Sequence, residues 1–147
     1  MKFSKSIIIK APIDMIVECY TNDEIRLQWD SMIVRKESRS GIHLKPGAES
    51  MIYFKTPNGT HELHESILEN NLPHSIKGLY VHMYMENTLQ TKFESLNSNE
   101  TKLTLDVDYF KTKKFFVKVF MTLFPKQFKT QVEKTMNEFK SYVEGLT

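Results

Sequence analysis

The residues able to do chemistry are few, and most fall between positions 61 and 84. His61-Glu62-Leu63-His64-Glu65 sets two imidazoles beside two carboxylates. The zinc-protease pattern needs two histidines four apart on one helical face. Here they are three apart in a segment that reads as a strand, so they face opposite sides, and no metal is expected. His61 and Glu65 share one face, and Glu62 and His64 share the other. An inward His61 or Glu65 would be a polar anchor in an apolar interior. His82 stands between Tyr80 and Tyr84 on one face of the next strand. Turned inward, the imidazole and two phenols could orient a ligand carbonyl or serve as acid and base. With Val81, Met83 and Met85 inward instead, His82 is exposed. Both faces are partly apolar, so the alternation leaves both arrangements open. His82, Tyr80 and Glu65 are the only set that could support acid–base catalysis. Cys19 has no histidine near it in sequence and reads as a small buried side chain. His43 and His74 sit in or near turns. There is no Gly-x-Ser-x-Gly elbow and no glycine-rich phosphate loop, so no catalytic residue and no cofactor is assigned.

A second feature is physical rather than catalytic. Lys111 to Lys129 reads KTKKFFVKVFMTLFPKQFK, with six lysines, five phenylalanines and no acid, while the whole chain carries a net charge of only +2. The positive charge is one local patch, which argues against nucleic-acid binding. Such a stretch could close a pocket, bind a partner or make peripheral membrane contact.

These features need elements to position them. The chain has 147 residues, 40% hydrophobic and 26% charged, which suits a single globular domain over 1–147. No apolar run of about 18 residues is present. The opening MKFSKSIIIKAPID lacks a signal-peptide core, and the lone Cys19 forms no internal disulfide, so a cytoplasmic location is expected. Residues 2–10 are rich in β-branched side chains and read as a strand. Ala11-Pro12 ends it and starts a short helix carrying Ile13, Ile16, Val17 and Tyr20 at helical spacing. Thr21-Asn22-Asp23 breaks that helix and offers an N-cap for a second, DEIRLQW.

Six strands follow, near 32–40, 48–57, 60–70, 75–85, 86–96 and 101–110. Turn signals at Pro46-Gly47, Pro57-Asn58-Gly59, Leu72-Pro73, Met85-Glu86-Asn87 and Asn97-Ser98-Asn99 separate them. Short turns between successive strands imply an antiparallel meander. In the last strand Leu103, Leu105, Val107 and Tyr109 alternate with Lys102, Thr104, Asp106 and Asp108, one face buried and one wet. Phe128, Val132, Thr135, Met136, Phe139 and Val143 then form the stripe of a long helix over 126–143. Pro125 marks its boundary. Residues 115–124 read most simply as a first segment of that helix, kinked at Pro125. Its stripe of Phe116, Phe120, Leu123 and Phe124 would cap one end of a cavity.

The order strand, two helices, six strands, long helix resembles the helix-grip fold of the START-like superfamily (SRPBCC, the polyketide cyclase/dehydrase and lipid-transport group). The resemblance rests on Ile7-Ile8-Ile9-Lys10-Ala11-Pro12-Ile13-Asp14, then Val17, Tyr20, Asn22-Asp23 and Trp29, with Pro46-Gly47 and Leu72-Pro73-His74-Ser75-Ile76 as turns. It implies an α+β domain whose seven-stranded curved antiparallel sheet wraps a long C-terminal helix. It also implies a cavity between the two for a hydrophobic or amphipathic, lipid- or polyketide-like ligand. The candidate ligand-binding residues from the sheet are Tyr53, Phe54, Tyr80, His82, Tyr84, Leu89, Phe93, Leu105, Val107 and Tyr109. Phe120, Phe124, Phe128, Val132 and Met136 come from the C-terminal segments. Trp29 is expected as a wedge between the short helices and the sheet, or at the pocket mouth. A cyclase/dehydrase-type enzyme, or an adaptor acting at a membrane surface through 111–129, are the alternatives.

Overall fold

The computed structural model describes residues 1–147. Strand β1 (Lys2–Ile9) leads into α1 (Ile13–Thr21) and α2 (Asp23–Trp29). Pro12 sits just before α1 with φ −66° and ψ 150°, leaving its first turn free of a proline clash. Asn22 separates the two helices. Its side chain accepts hydrogen bonds from the Glu24 and Ile25 N–H groups, as a good N-cap does.

The meander then runs β2 (Ile33–Ser40), β3 (Glu49–Thr56), β4 (Gly59–Asn71), β5 (Ser75–Val81), β6 (Met85–Asn97) and β7 (Glu100–Thr112). These strands and β1 form one sheet in the order β1-β7-β6-β5-β4-β3-β2, with every neighbouring pair antiparallel. Strands β1 and β2 are the two edges, and α1 and α2 span the gap between them. Strand β5 ends at Val81, short of the expected 85, and His82 to Tyr84 turn the chain into β6.

Helix α4 (Pro125–Gly145) has 21 residues, about 31 Å of helix, and lies in the curve of the sheet. Its inner stripe of Met136, Phe139 and Val143 is buried against Ile9, Phe93, Leu103 and Leu105. Each such side chain contributes roughly 1.5–3 kcal/mol by leaving water. Lys5 Nζ to Glu133 at 2.6 Å and Ser31 to Glu138 at 2.8–2.9 Å fix the helix against β1 and the end of α2.

Residues 115–123 are not a first segment of α4. They form a separate helix, α3 (Phe115–Leu123), and Phe124, at φ −129° and ψ 56°, breaks the path between them. Pro125 explains the break: it disfavours helical backbone in the residue before it and serves as the first residue of α4. The inner face of α3 also differs from expectation. Val117 and Met121 are buried, whereas Phe116, Phe120, Leu123 and Phe124 are 61%, 45%, 65% and 50% exposed. The aromatic stripe points out of the grip. No helix is long and apolar enough to cross a membrane.

Candidate functional site

Between the sheet and α4 lies a cavity of about 260 Å³. The pleat decides which residues reach it. On β5 the alternating Ile76, Gly78 and Tyr80 face in; on β4 they are Leu63, Glu65 and Ile67; on β7 Leu103, Leu105, Val107 and Tyr109. This settles the orientation of β5: the Tyr80 face is inward, and His82 continues it toward the rim. Val132, Thr135, Met136 and Phe139 come from α4, and Tyr20, Arg26 and Trp29 from the two short helices. Trp29 is both wedge and wall: it is buried against Tyr20 and Phe139, donates from Nε1 to the Cys19 carbonyl at 3.0 Å, and lines the cavity.

One wall is charged. Glu65 is only 4% exposed. Its carboxylate accepts from Tyr80 Oη at 2.7 Å and pairs with Lys36 Nζ at 2.9 Å. Lys36 also reaches Asp23 at 2.9 Å. Arg26, on α2, pairs through Nε with the buried Asp30 at 3.4 Å. Burial alone pushes the Glu65 carboxyl up, but the charges of Lys36 and Arg26 and the hydrogen bonds from Lys36 and Tyr80 outweigh it and hold it below its usual range. Burial, reinforced by the Glu65 charge, holds the Tyr80 phenol well above its own. Beside this wall Tyr20 Oη and Thr91 Oγ1 share a hydrogen bond of 2.8 Å, and burial raises the Tyr20 phenol too. Gly78 makes room for Tyr80: a Cβ there would lie 2.9 Å from the Tyr80 Oη and Cε2 atoms.

Further along, past the residues that line the cavity, the inward side turns aromatic. Phe54, His61, His82 and Tyr84 cluster at the rim, with the His61 and His82 rings stacked at 5.3 Å and Phe116 of α3 edge-on to Tyr84 at 5.7 Å. His82 Nδ1 accepts from the Tyr84 N–H at 3.3 Å, so in the neutral ring Nε2 carries the hydrogen and donates to His61 Nδ1 at 3.1 Å. Burial, then His61, then Lys113 push the His82 imidazole below its ordinary range. Lys113 Nζ donates to the His82 carbonyl at 2.9 Å, tying the start of α3 to the rim.

The expected ligand residues therefore divide. Trp29, Tyr80, Leu89, Leu105, Val107, Tyr109, Val132 and Met136 line the cavity. Phe54, His82 and Tyr84 stand at its rim. Phe93, 3% exposed, belongs to the packed core beside it. Phe128 packs on Tyr109 and Phe120 rather than lining the space. Phe120 and Phe124 point to solvent. Tyr53 lies on the opposite face of β3, under the Arg35 guanidinium at 3.8 Å and bonded to Arg39 at 3.0 Å. Strand alternation permits only one of Tyr53 and Phe54 to face inward. Sequence reasoning passed over Arg26, Lys36, Asp23, Tyr20 and Thr91. The one signal that could have found the wall is Glu65 on an inward strand face, since a carboxylate buried there must have cationic partners.

A curved antiparallel sheet gripping one long helix over a cavity defines the helix-grip class, and the chain has the START-like helix-grip fold. No family model and no curated protein sequence matches it. Solved structures do. A START superfamily protein from Mycobacterium smegmatis superposes with a TM-score of 0.80 at 16% identity, covering 99% of both chains. The di-domain ARO/CYC StfQ from the steffimycin biosynthetic pathway matches with 0.76 at 9% identity, over 97% of this chain and 45% of its own. Major latex-like protein 151 from Panax ginseng matches with 0.70 at 12% identity, over 97% of this chain and 96% of its own. Identities this low speak for the fold and not for a shared activity.

Proposed function

We propose that this protein is a small-molecule binding protein that holds a hydrophobic or amphipathic, lipid- or polyketide-like ligand between the sheet and α4. The observation that carries the reading is the partly open cavity, with aromatic and aliphatic walls and one cluster of fixed polar groups. Apolar walls with a few convergent polar groups are the usual make-up of a ligand site. The volume of about 260 Å³ lies just under the common range of about 300–1,000 Å³, which favours a compact ligand over a two-tailed lipid. Native mass spectrometry of the purified protein, before and after organic extraction, tests this. A bound small molecule that Met136→Trp excludes is expected. A protein that carries nothing, and that no apolar probe enters, would overturn the reading.

A cyclase/dehydrase-type activity is less well supported. Efficient general acids and bases titrate near the working pH, yet the Glu65 carboxyl is driven down and the Tyr80 phenol up. His82, the one imidazole of the nominated set, stands at the rim rather than beside them.

The outward face of α3 favours a second, compatible role at an anionic membrane surface. Phe115, Phe116, Leu123 and Phe124 are at least half exposed, and Lys114, Lys118, Lys126 and Lys129 form no ion pairs with the protein's own acids. Exposed aromatics flanked by free cations suit an interfacial helix. Sedimentation with vesicles containing anionic lipid, at low and high salt, tests it. Binding that ignores both lipid charge and salt would remove this role.

A further inference from the structure

The charged wall also limits what the ligand can be, given that the cavity is a binding site. Its carboxylates are occupied. Glu65 accepts from Lys36 and Tyr80, Asp23 from Lys36, and Asp30 from Arg26 and from the Met32 N–H at 3.1 Å. Its donors are not all used. Arg26 spends only Nε on Asp30, and its two Nη groups have no hydrogen-bond partner in the protein although the residue lines the cavity. Across the cavity on β7, the Tyr109 hydroxyl also makes no hydrogen bond within the protein. The guanidinium has donors alone, so a ligand that completes it must bring an acceptor, while the Tyr109 hydroxyl can donate or accept. Charge then narrows the choice. Arg26 and Lys36 already face the three carboxylates of Asp23, Asp30 and Glu65. A further negative charge would meet a wall that has no positive excess.

We infer that the cavity takes a compact, largely aromatic or alicyclic molecule with an uncharged hydrogen-bond acceptor, a carbonyl oxygen being the simplest, and that the Arg26 Nη groups hold this oxygen. The Nη donors gain a partner they lack in the protein alone, and Asp30 keeps the guanidinium in place from behind. The ring system meets the cavity faces of Tyr20, Trp29, Tyr80 and Phe139. Flat side chains of this kind contact a ring face with little loss of rotamer freedom. Arg26 thus becomes a specificity-determining residue. It tells a ketone from the hydrocarbon of the same shape.

Three matched probes test this: fluorenone, fluorene and fluorene-9-carboxylate, each titrated into the wild-type protein, Arg26→Met and Met136→Trp. A hydrogen bond from a charged donor to a ligand is worth roughly ten-fold or more in affinity. Wild-type protein should therefore prefer fluorenone to fluorene by about that factor, bind the carboxylate more weakly than the ketone, and shift the infrared C=O band of bound fluorenone to lower frequency. Arg26→Met should level ketone and hydrocarbon by weakening the ketone alone, and the unchanged fluorene affinity reports that the cavity is intact. The wild-type comparison and the infrared shift need no variant, so a misfolded Arg26→Met leaves the test whole. Equal binding of ketone and hydrocarbon, both lost in Met136→Trp, would overturn the acceptor inference and leave the binding function standing. Tightest binding of the carboxylate would overturn the uncharged-ligand assignment. Failure of every probe would overturn the acceptor inference, and the binding function falls with it only if native mass spectrometry also finds nothing bound.

Discussion

Tyr80, near the end of β5, and His82, just past it, are two residues apart, yet they belong to two different regions. Around Tyr80 the polar groups are ionised and mutually fixed: Glu65, Lys36, Asp23, Arg26 and Asp30 pair with one another, and only the solvent-accessible Arg26 Nη groups have no partner within the protein. Around His82 the polar groups are two stacked imidazoles in an aromatic cluster, half-buried and tied to α3 by Lys113. The wall spends its charges on holding a shape. The rim holds one imidazole that burial and its neighbours His61 and Lys113 keep below its ordinary range, close to the helix whose aromatic residues are largely left in solvent. The end of one strand thus separates a fixed polar wall from a half-buried aromatic rim by a single residue, Val81.

The largest effect expected of this contrast is on stability. Glu65→Leu leaves Lys36 with Asp23 alone and removes the acceptor of the Tyr80 hydroxyl, which should cost about 3–5 kcal/mol, as breaking a buried ion pair does. At the rim, His61→Leu should cost about 1 kcal/mol or less. Urea unfolding midpoints of the two variants decide it, and equal losses would erase the distinction between the regions. Next in size is Gly78→Ala. Its methyl would meet the Tyr80 ring, forcing the phenol off Glu65 at a cost of about 1–3 kcal/mol. A crystal structure of the variant should show the 2.7 Å Tyr80–Glu65 bond broken.

A smaller effect appears as pH dependence, with a different window for each region. His82 titrates below its ordinary value of 6.5 in the folded protein. The unfolded chain therefore takes up the proton first, and stability is complete above 6.5 and declines as the pH falls below it. His82→Phe should abolish that decline. Glu65 titrates below its ordinary 4.5, so its contribution persists until the pH drops through 4.5 and then fades. Tyr80 and Tyr20 titrate above 10, so their contribution is full below pH 10 and is lost above it. Thermal melts across these ranges, on wild type and His82→Phe, separate the windows. The smallest stability effect belongs to the solvent face of α3. Replacing Phe115, Leu123 and Phe124 together with serine should change unfolding stability by no more than about 0.5 kcal/mol per site, while vesicle binding disappears.

Most of the scaffold was legible because its signals are local. Helix α2 spans the DEIRLQW segment with Asn22 as its cap, and Pro57-Asn58-Gly59 turns β3 into β4, as turn and capping chemistry predicts. The alternation in β7 identifies its buried face without ambiguity. Three things were not legible. The inward face of β5 is set by its register with β4 and β6, which periodicity alone does not reveal when both faces are apolar. The charged wall assembles from α2, β2, β4 and β5, and no local pattern links Arg26 or Lys36 to Glu65. The outward turn of α3 was hidden because its helical stripe is real but only edge-packed, Phe116 on Tyr84 and Phe120 on Phe128, and otherwise in solvent. Its spacing records amphipathicity, and nothing in the spacing says which side finds protein and which finds water.

Helix α3 has a further consequence. Unlike α2 it has no side-chain cap at its N-terminus, no acid in its first turn and no base in its last, and Val117 and Met121 are its only buried anchors. A helix this weakly tied opens locally long before the domain unfolds. Its amides should exchange with deuterium ahead of those in α4 and the central strands. If ligands enter past it, their association rate should level off at high ligand concentration, at the frequency with which nine residues of backbone let go.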